Sequence, residues 1–115
     1  MISPLLAAAL ALQSAPVEPA PLSQENRALL RCAAAFALVA QGQAAGDAAA
    51  KAWPDLSMSG REFLVRAMAR LMDETGRDRA GIAALANAEA QALTASGDVA
   101  KIMPSCVVML DASGV

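Results

Sequence analysis

Few side chains in this 115-residue sequence have types and spacings suited to chemistry, and they lie far apart. Cys32 and Cys106 have 73 residues between them. A redox-active pair is normally a tight C-x-x-C with a tuned attacking thiol, so this spacing points to a structural disulfide between the first and last helices. On the chain-entropy model that closure is worth about 4–5 kcal/mol. Glu89 falls at the centre of an apolar helical arc. A carboxylate there must be paired, be held neutral, or lie near a wet helix end. Arg61 is the partner to weigh, because it falls on the core-facing side of the first turn of its own helix. The ordinary outcome is a structural ion pair or helix-to-loop hydrogen bond; a ligand contact or acid–base role is the sharper alternative. Trp53, the single tryptophan, stands beside Pro54. It is either a ligand-contacting aromatic or, more commonly, a plug that seats an irregular segment on the core.

The rest of the composition removes whole classes of function. There is no His, which takes away the commonest general base and metal ligand, and with it Ser-His-Asp, Cys-His and ordinary haem-ligating designs. The sequence has no D-x-D-x-D-G calcium loop, no phosphate-cradling glycine motif and no G-x-S-x-G. No metal, cofactor or catalytic residue is expected. Asp73 and Glu74, adjacent in sequence, point to different sides of a helix and do not suit paired-carboxylate hydrolysis. With net charge −2 and no uncompensated run of Arg or Lys, nucleic acid is not an expected partner.

The elements that must position these residues are helical. Thirty of the 115 residues are Ala, which favours helix and close helix packing, while the β-branched and aromatic residues that strands prefer are scarce. Residues 1–15 read as an export signal. They carry an uncharged apolar run from Pro4 to Leu12, too short to span a bilayer, followed by small and polar residues. Residues 16–22 hold three prolines and read as an extended tether, leaving residues 23–112 as the folded domain. No lasting membrane span is expected, and the destination is the periplasm or the exterior, where two cysteines oxidise.

Within that domain, Ser23 caps a helix over about residues 24–41. Its core side carries Leu29, Cys32, Phe36, Val39 and Ala40, with Arg27, Arg31 and Leu38 opposite. Asp47 is placed to cap a short helix over about 48–52, ended by Pro54. Ser59 and Glu62 form a capping box for a helix ending at Gly76, with Leu64, Ala67, Met68, Leu71 and Met72 inward and Phe63 at the border. Glu62, Arg66, Arg70 and Glu74 make a solvated charge ladder on its outer side. Asp78 caps a helix over about 79–95 that ends at Gly97 and turns Ile82, Leu85, Ala86 and Leu93 inward. Asp98 caps the last segment, where Pro104 marks a kink or a new first turn, and the apolar run 106–110 must be covered. The expected fold is an all-α bundle of four to five helices with one disulfide.

The stretches RCAAAFALVA (31–40), GREFLVRAMARLMDETG (60–76) and MPSCVVMLD (103–111) resemble those of small exported two-cysteine helical proteins of bacteria, a group with no assigned activity. A looser architectural likeness is to periplasmic acid-stress chaperones. The leading functional expectation is a non-catalytic binding or accessory protein that meets an envelope protein, or a second copy of itself, through an apolar helix surface. A conditional chaperone is the alternative and a small enzyme using a buried carboxylate the third.

Overall fold

A computed structural model describes residues 21–115. The expected signal and most of the tether, residues 1–20, lie outside the described residues. The described chain is all-α: α1 spans Gln24–Ala44, α2 Ala48–Lys51, α3 Ser59–Thr75, α4 Arg79–Ser96 and α5 Val99–Ala112. Among these residues no helix is long and apolar enough to cross a membrane.

α1 is the hub and touches all four other helices. Ser23 caps it as its residue type requires, its Oγ accepting from the Asn26 N–H at 3.1 Å. Because neighbours surround it, the buried arc of α1 is wider than a one-sided helix needs: Leu30, every residue from Cys32 to Phe36, and Val39 are buried. Ala33, Ala34 and Ala35 let those neighbours approach closely. Leu38, expected on the far side, is accordingly only half-exposed and packs on the core, while Leu29 is less buried than Leu30. The helix also runs past Gly42 to Ala44. Gly42 is there because a Cβ on it would lie 2.7 Å from the Ala50 Cβ, so only glycine lets α2 fold back this tightly.

The larger core cluster centres on Phe36 and Phe63, whose rings meet edge to face with centroids 5.0 Å apart, and takes in Leu56, Leu93 and Met103. A second cluster joins Leu30, Leu71 and Ile82. Cys32 and Cys106 form the disulfide expected between the first and last helices, with Cα atoms 5.2 Å apart and both residues buried. It reinforces a helix that packs chiefly on α1.

α3 departs from its expected start and phase. Ser59 is not the cap: Met58 precedes the helix with α-type backbone angles, the Ser59 hydroxyl donates to the Asp55 carbonyl instead, and no side chain caps this end. A turn in which the Gly60 N–H reaches the Leu56 carbonyl at 3.1 Å leads into the helix, which displaces the capping box. Phe63, Ala67 and Leu71 form the buried line, with Leu64, Met68 and Met72 flanking it, so the inward face is rotated towards Phe63. The outer ladder forms as expected, Glu62–Arg66 at 2.9 Å and Arg70–Glu74 at 3.1 Å, and Arg70 also reaches Glu25 of α1 at 2.7 Å. Gly76 and Gly97 end α3 and α4 in left-handed conformation.

Asp78 caps α4 by accepting from the Gly81 N–H at 2.8 Å. α5 is one continuous helix through Pro104. The proline and Ala100, whose carbonyl it leaves without its i+4 N–H partner, are both exposed, so that carbonyl is open to solvent. Met103, Cys106 and Leu110 face inward. Val108 is 68% exposed: a helix covered on one side cannot bury all of an unbroken apolar run.

Candidate functional site

The segment after α1 holds the most distinctive polar arrangement of the described chain. Gln43, in the last turn of α1, points its side-chain amide into the following loop. Its Nε2 donates towards the carbonyls of Ala50 (3.1 Å), Trp53 (3.3 Å) and Pro54 (2.8 Å), and its Oε1 accepts from the Leu56 N–H (3.0 Å). One side chain thus serves backbone groups that the short α2 and a proline-containing loop leave without ladder partners. Leu56, fully buried, is the plug of this loop; Met58, two residues on, is 83% exposed.

Trp53 shares the seating of this loop on the core with Leu56. It is half-buried, its carbonyl held by Gln43, and its ring packs on the edge of the larger core cluster. There it forms a wall of a cleft of about 350 Å³ floored by Leu38 and Val39 of α1, Ala50 of α2, Leu93 of α4 and Val99 of α5. The lining is predominantly apolar, with Asp47 and Thr94 as its polar side chains. On a second side Trp53 borders a separate polar depression shared with Gln43, Lys51 and Asp55. The Asp55 carboxylate there accepts from the Ser57 N–H at 3.0 Å, which holds it below the usual carboxylate range.

Glu89 and Arg61 do not come together. Arg61 is exposed and forms no ion pair among the described residues, because the rotated phase of α3 puts Phe63 inward and Arg61 outward. Glu89 is half-exposed rather than buried. It faces Arg31 of α1, with 3.7 Å between Glu89 Oε1 and Arg31 Nε, and Arg31 also approaches Asp98 at 4.0 Å. This pair lies in a groove between α1 and α4 over Leu30 and Leu85, which shares no residue with the Trp53 cleft. Arg31 escapes the sequence reading because it lies opposite the expected face of α1. On a helix packed on several sides, that opposite face still meets a neighbour. Glu89 is thus a paired, half-exposed carboxylate on the wall of that groove.

The cleft and the clamp that holds its Trp53 wall draw on residues that sequence reasoning assigned to other roles or passed over: Leu38 to the outer face, Asp47 to a helix cap, Gln43 to none. A recognisable signal was present in the amide in the last turn of α1, ahead of a short loop with Pro54, where unpaired carbonyls were bound to need a donor. What the arrangement can do chemically is bind. It offers an apolar recess with an aromatic wall and one carboxylate on its rim, a composition typical of small-ligand and side-chain pockets. No protein-family model, curated protein or solved structure matches this chain.

Proposed function

We propose that this is an exported, non-catalytic helical binding protein, which works as an accessory factor by receiving an apolar side chain of an envelope partner in the Trp53 cleft. The observation that carries this reading is the cleft itself. It lies where four helices meet, its floor is aliphatic, and its irregular wall is held in place by the Gln43 clamp rather than left to collapse. Pre-formed recesses of this kind lower the ordering cost of association. Export to the periplasm or beyond is supported by the apolar N-terminal run and by the disulfide.

The test is a titration of the isotopically labelled protein with N-acetyl-trileucine amide, followed by NMR. Shifts concentrated on the Trp53 indole N–H and on the methyls of Leu38, Leu93 and Val99 are expected. Shifts confined to the exposed apolar residues Val65 and Val108, or none, would refute the cleft as the binding surface. Intact mass of the protein recovered from the cell envelope, before and after reduction, tests export separately: a mass starting near Pro16 with both thiols blocked is expected, and retention of Met1 with free thiols overturns it.

A further inference from the structure

The groove between α1 and α4 is where the chain enters the domain. Leu22, the residue before the cap Ser23, lines it together with Arg27 and Arg31 of α1 and Leu85, Ala88 and Glu89 of α4, around a volume of about 500 Å³. Leu22 also packs on the cluster of Leu30, Leu71 and Ile82. Ser23 then leads into α1 from extended backbone, with φ −64° and ψ 161°. Residues 16–20, which lie outside the described residues, therefore join the domain through Pro21 and Leu22 at this groove.

The segment matches the groove in length, in hydrogen-bonding chemistry and in charge. An extended proline-rich stretch advances about 3.1 Å per residue, so five residues cover about 16 Å. Arg27 and Arg31 on one wall, and Leu85 and Glu89 on the other, are each one helical turn apart, about 6 Å. Pro16, Pro19 and Pro21 have no N–H, so such a stretch joins no helix or sheet ladder and its carbonyls need donors from elsewhere. Arg27 forms no ion pair among the described residues, since Glu25 is engaged by Arg70. Arg31 keeps donors to spare, because its contacts with Glu89 and Asp98, at 3.7 and 4.0 Å, are longer than hydrogen bonds. Two guanidinium groups against the Glu89 carboxylate leave the lining with one positive charge in excess, and Asp98 beyond it is shared with Lys101. Glu18 is the single charged residue of 16–22.

From the point of entry and this complementarity we propose that residues 16–20 fold over the α1–α4 groove as an intramolecular strap, with Glu18 paired to Arg27 and with Val17 and Pro19 covering Leu85 and Ala88. Proline limits the conformations such a strap gives up on docking, which lowers the cost of ordering it. The strap closes the groove to other occupants. The Trp53 cleft shares no lining residue with it and stays open to a partner, so the two readings stand or fall separately.

The experiment is NMR on the isotopically labelled protein recovered from the cell envelope. The amides of Val17, Glu18 and Ala20 are expected to show order parameters of about 0.85, as in the helices, against less than about 0.6 for a free segment. Nuclear Overhauser contacts from Val17 and Pro19 to the methyls of Leu85 and Ala88 should accompany them. Glu18→Lys should bring the three values below about 0.6 and erase the contacts, and Arg27→Glu should do the same. Arg27 is exposed and pairs with no described residue, so the fold should survive its reversal, which an unchanged helical circular dichroism checks. Combining Glu18→Lys with Arg27→Glu should restore both signals. Low order parameters in the unaltered protein overturn the proposal, as does a mature chain that begins after Ala20. Contacts that survive either single reversal, or that the double reversal fails to restore, overturn it as well. Contacts seen between labelled and unlabelled molecules in a mixed sample would make a second copy the occupant and also overturn it.

Discussion

Replacing Gln43 with Ala isolates a single side chain on which a whole loop depends. Its amide has two N–H groups facing three carbonyls, so one donor is shared, and its oxygen serves the Leu56 N–H. That amounts to about three hydrogen bonds, each worth about 0.5–1.5 kcal/mol net, and the exposed bond to Pro54 falls at the low end, which gives a loss of about 2–3 kcal/mol. Leu56 is fully buried, so its N–H, once orphaned, cannot recover the bond from water without lifting the plug. For a domain of this size the loss corresponds to a fall in Tm of about 10–20 °C. Thermal and urea denaturation followed by circular dichroism measure it, and Trp53 emission reports whether the loop opens first. Gln43→Glu sharpens the test, since a carboxylate keeps the acceptor for Leu56 but faces three carbonyls with no donor. It should be at least as destabilising as Ala despite its similar size. A fall of less than about 2 °C for Gln43→Ala, or near-wild-type stability for Gln43→Glu, would refute the reasoning that this amide holds the loop.

The double variant Cys32→Ala/Cys106→Ala should lose about 4 kcal/mol, because a bond across a sequence separation of 74 restrains most of the unfolded chain; urea titration of the oxidised protein and the variant reads it directly. Gly42→Ala should lower Tm even though Ala is the better helix former, since the new Cβ would stand 2.7 Å from the Ala50 Cβ; a rise in Tm would show that α2 yields freely. Glu74 is held below its ordinary value of 4.5 by hydrogen bonds from the Asn26 side chain and from Arg70, so its contribution is present above the unfolded-state value and is lost as pH falls through the folded one. Glu74→Gln should therefore lower Tm by a nearly constant amount between pH 5 and 8, where that contribution is present, and flatten the fall of Tm below about pH 4.5.

Much of the architecture was legible because it rests on local signals. Ser23, Asp78, Gly76 and Gly97 act as boundaries through backbone chemistry that does not depend on what lies across the fold. The disulfide followed from the presence of two cysteines in a chain read as exported, with a spacing unlike that of a redox pair. The signals that misled were those in which a local device competed with a tertiary one. Ser59 and Glu62 have the types of a capping box, but the backbone turn between Leu56 and Gly60 begins the rise into α3 earlier and takes the cap position from Ser59. Gly42 looked like a helix terminator, yet it lies inside α1, where the absence of a side chain accommodates the return of α2 rather than a break.

The residues of the candidate site were harder to read for the same reason, carried one level further. Periodicity assumes that a helix has one inside and one outside, and Leu38 and Arg31 were placed outside on that assumption. α1 meets four partners, so its outer side also faces a cleft and a groove: Leu38 becomes a cleft floor and Arg31 the counter-ion of Glu89. Arg61 was placed inward on a helical phase set by Leu64 and Met68, and a small rotation that brings Phe63 against Phe36 was enough to turn it to solvent. Glu89 broke the apolar pattern of α4 because the pattern itself changes along that helix. Ile82 and Leu93 are buried at either end, while the stretch between faces Arg31 across a wet groove that needs a charge as much as it needs apolar surface. A polar residue on an apolar face therefore marks, in this fold, the place where two helices part, and the cleft beside Trp53 lies at another such parting, where α1, α2, α4 and α5 do not close on one another.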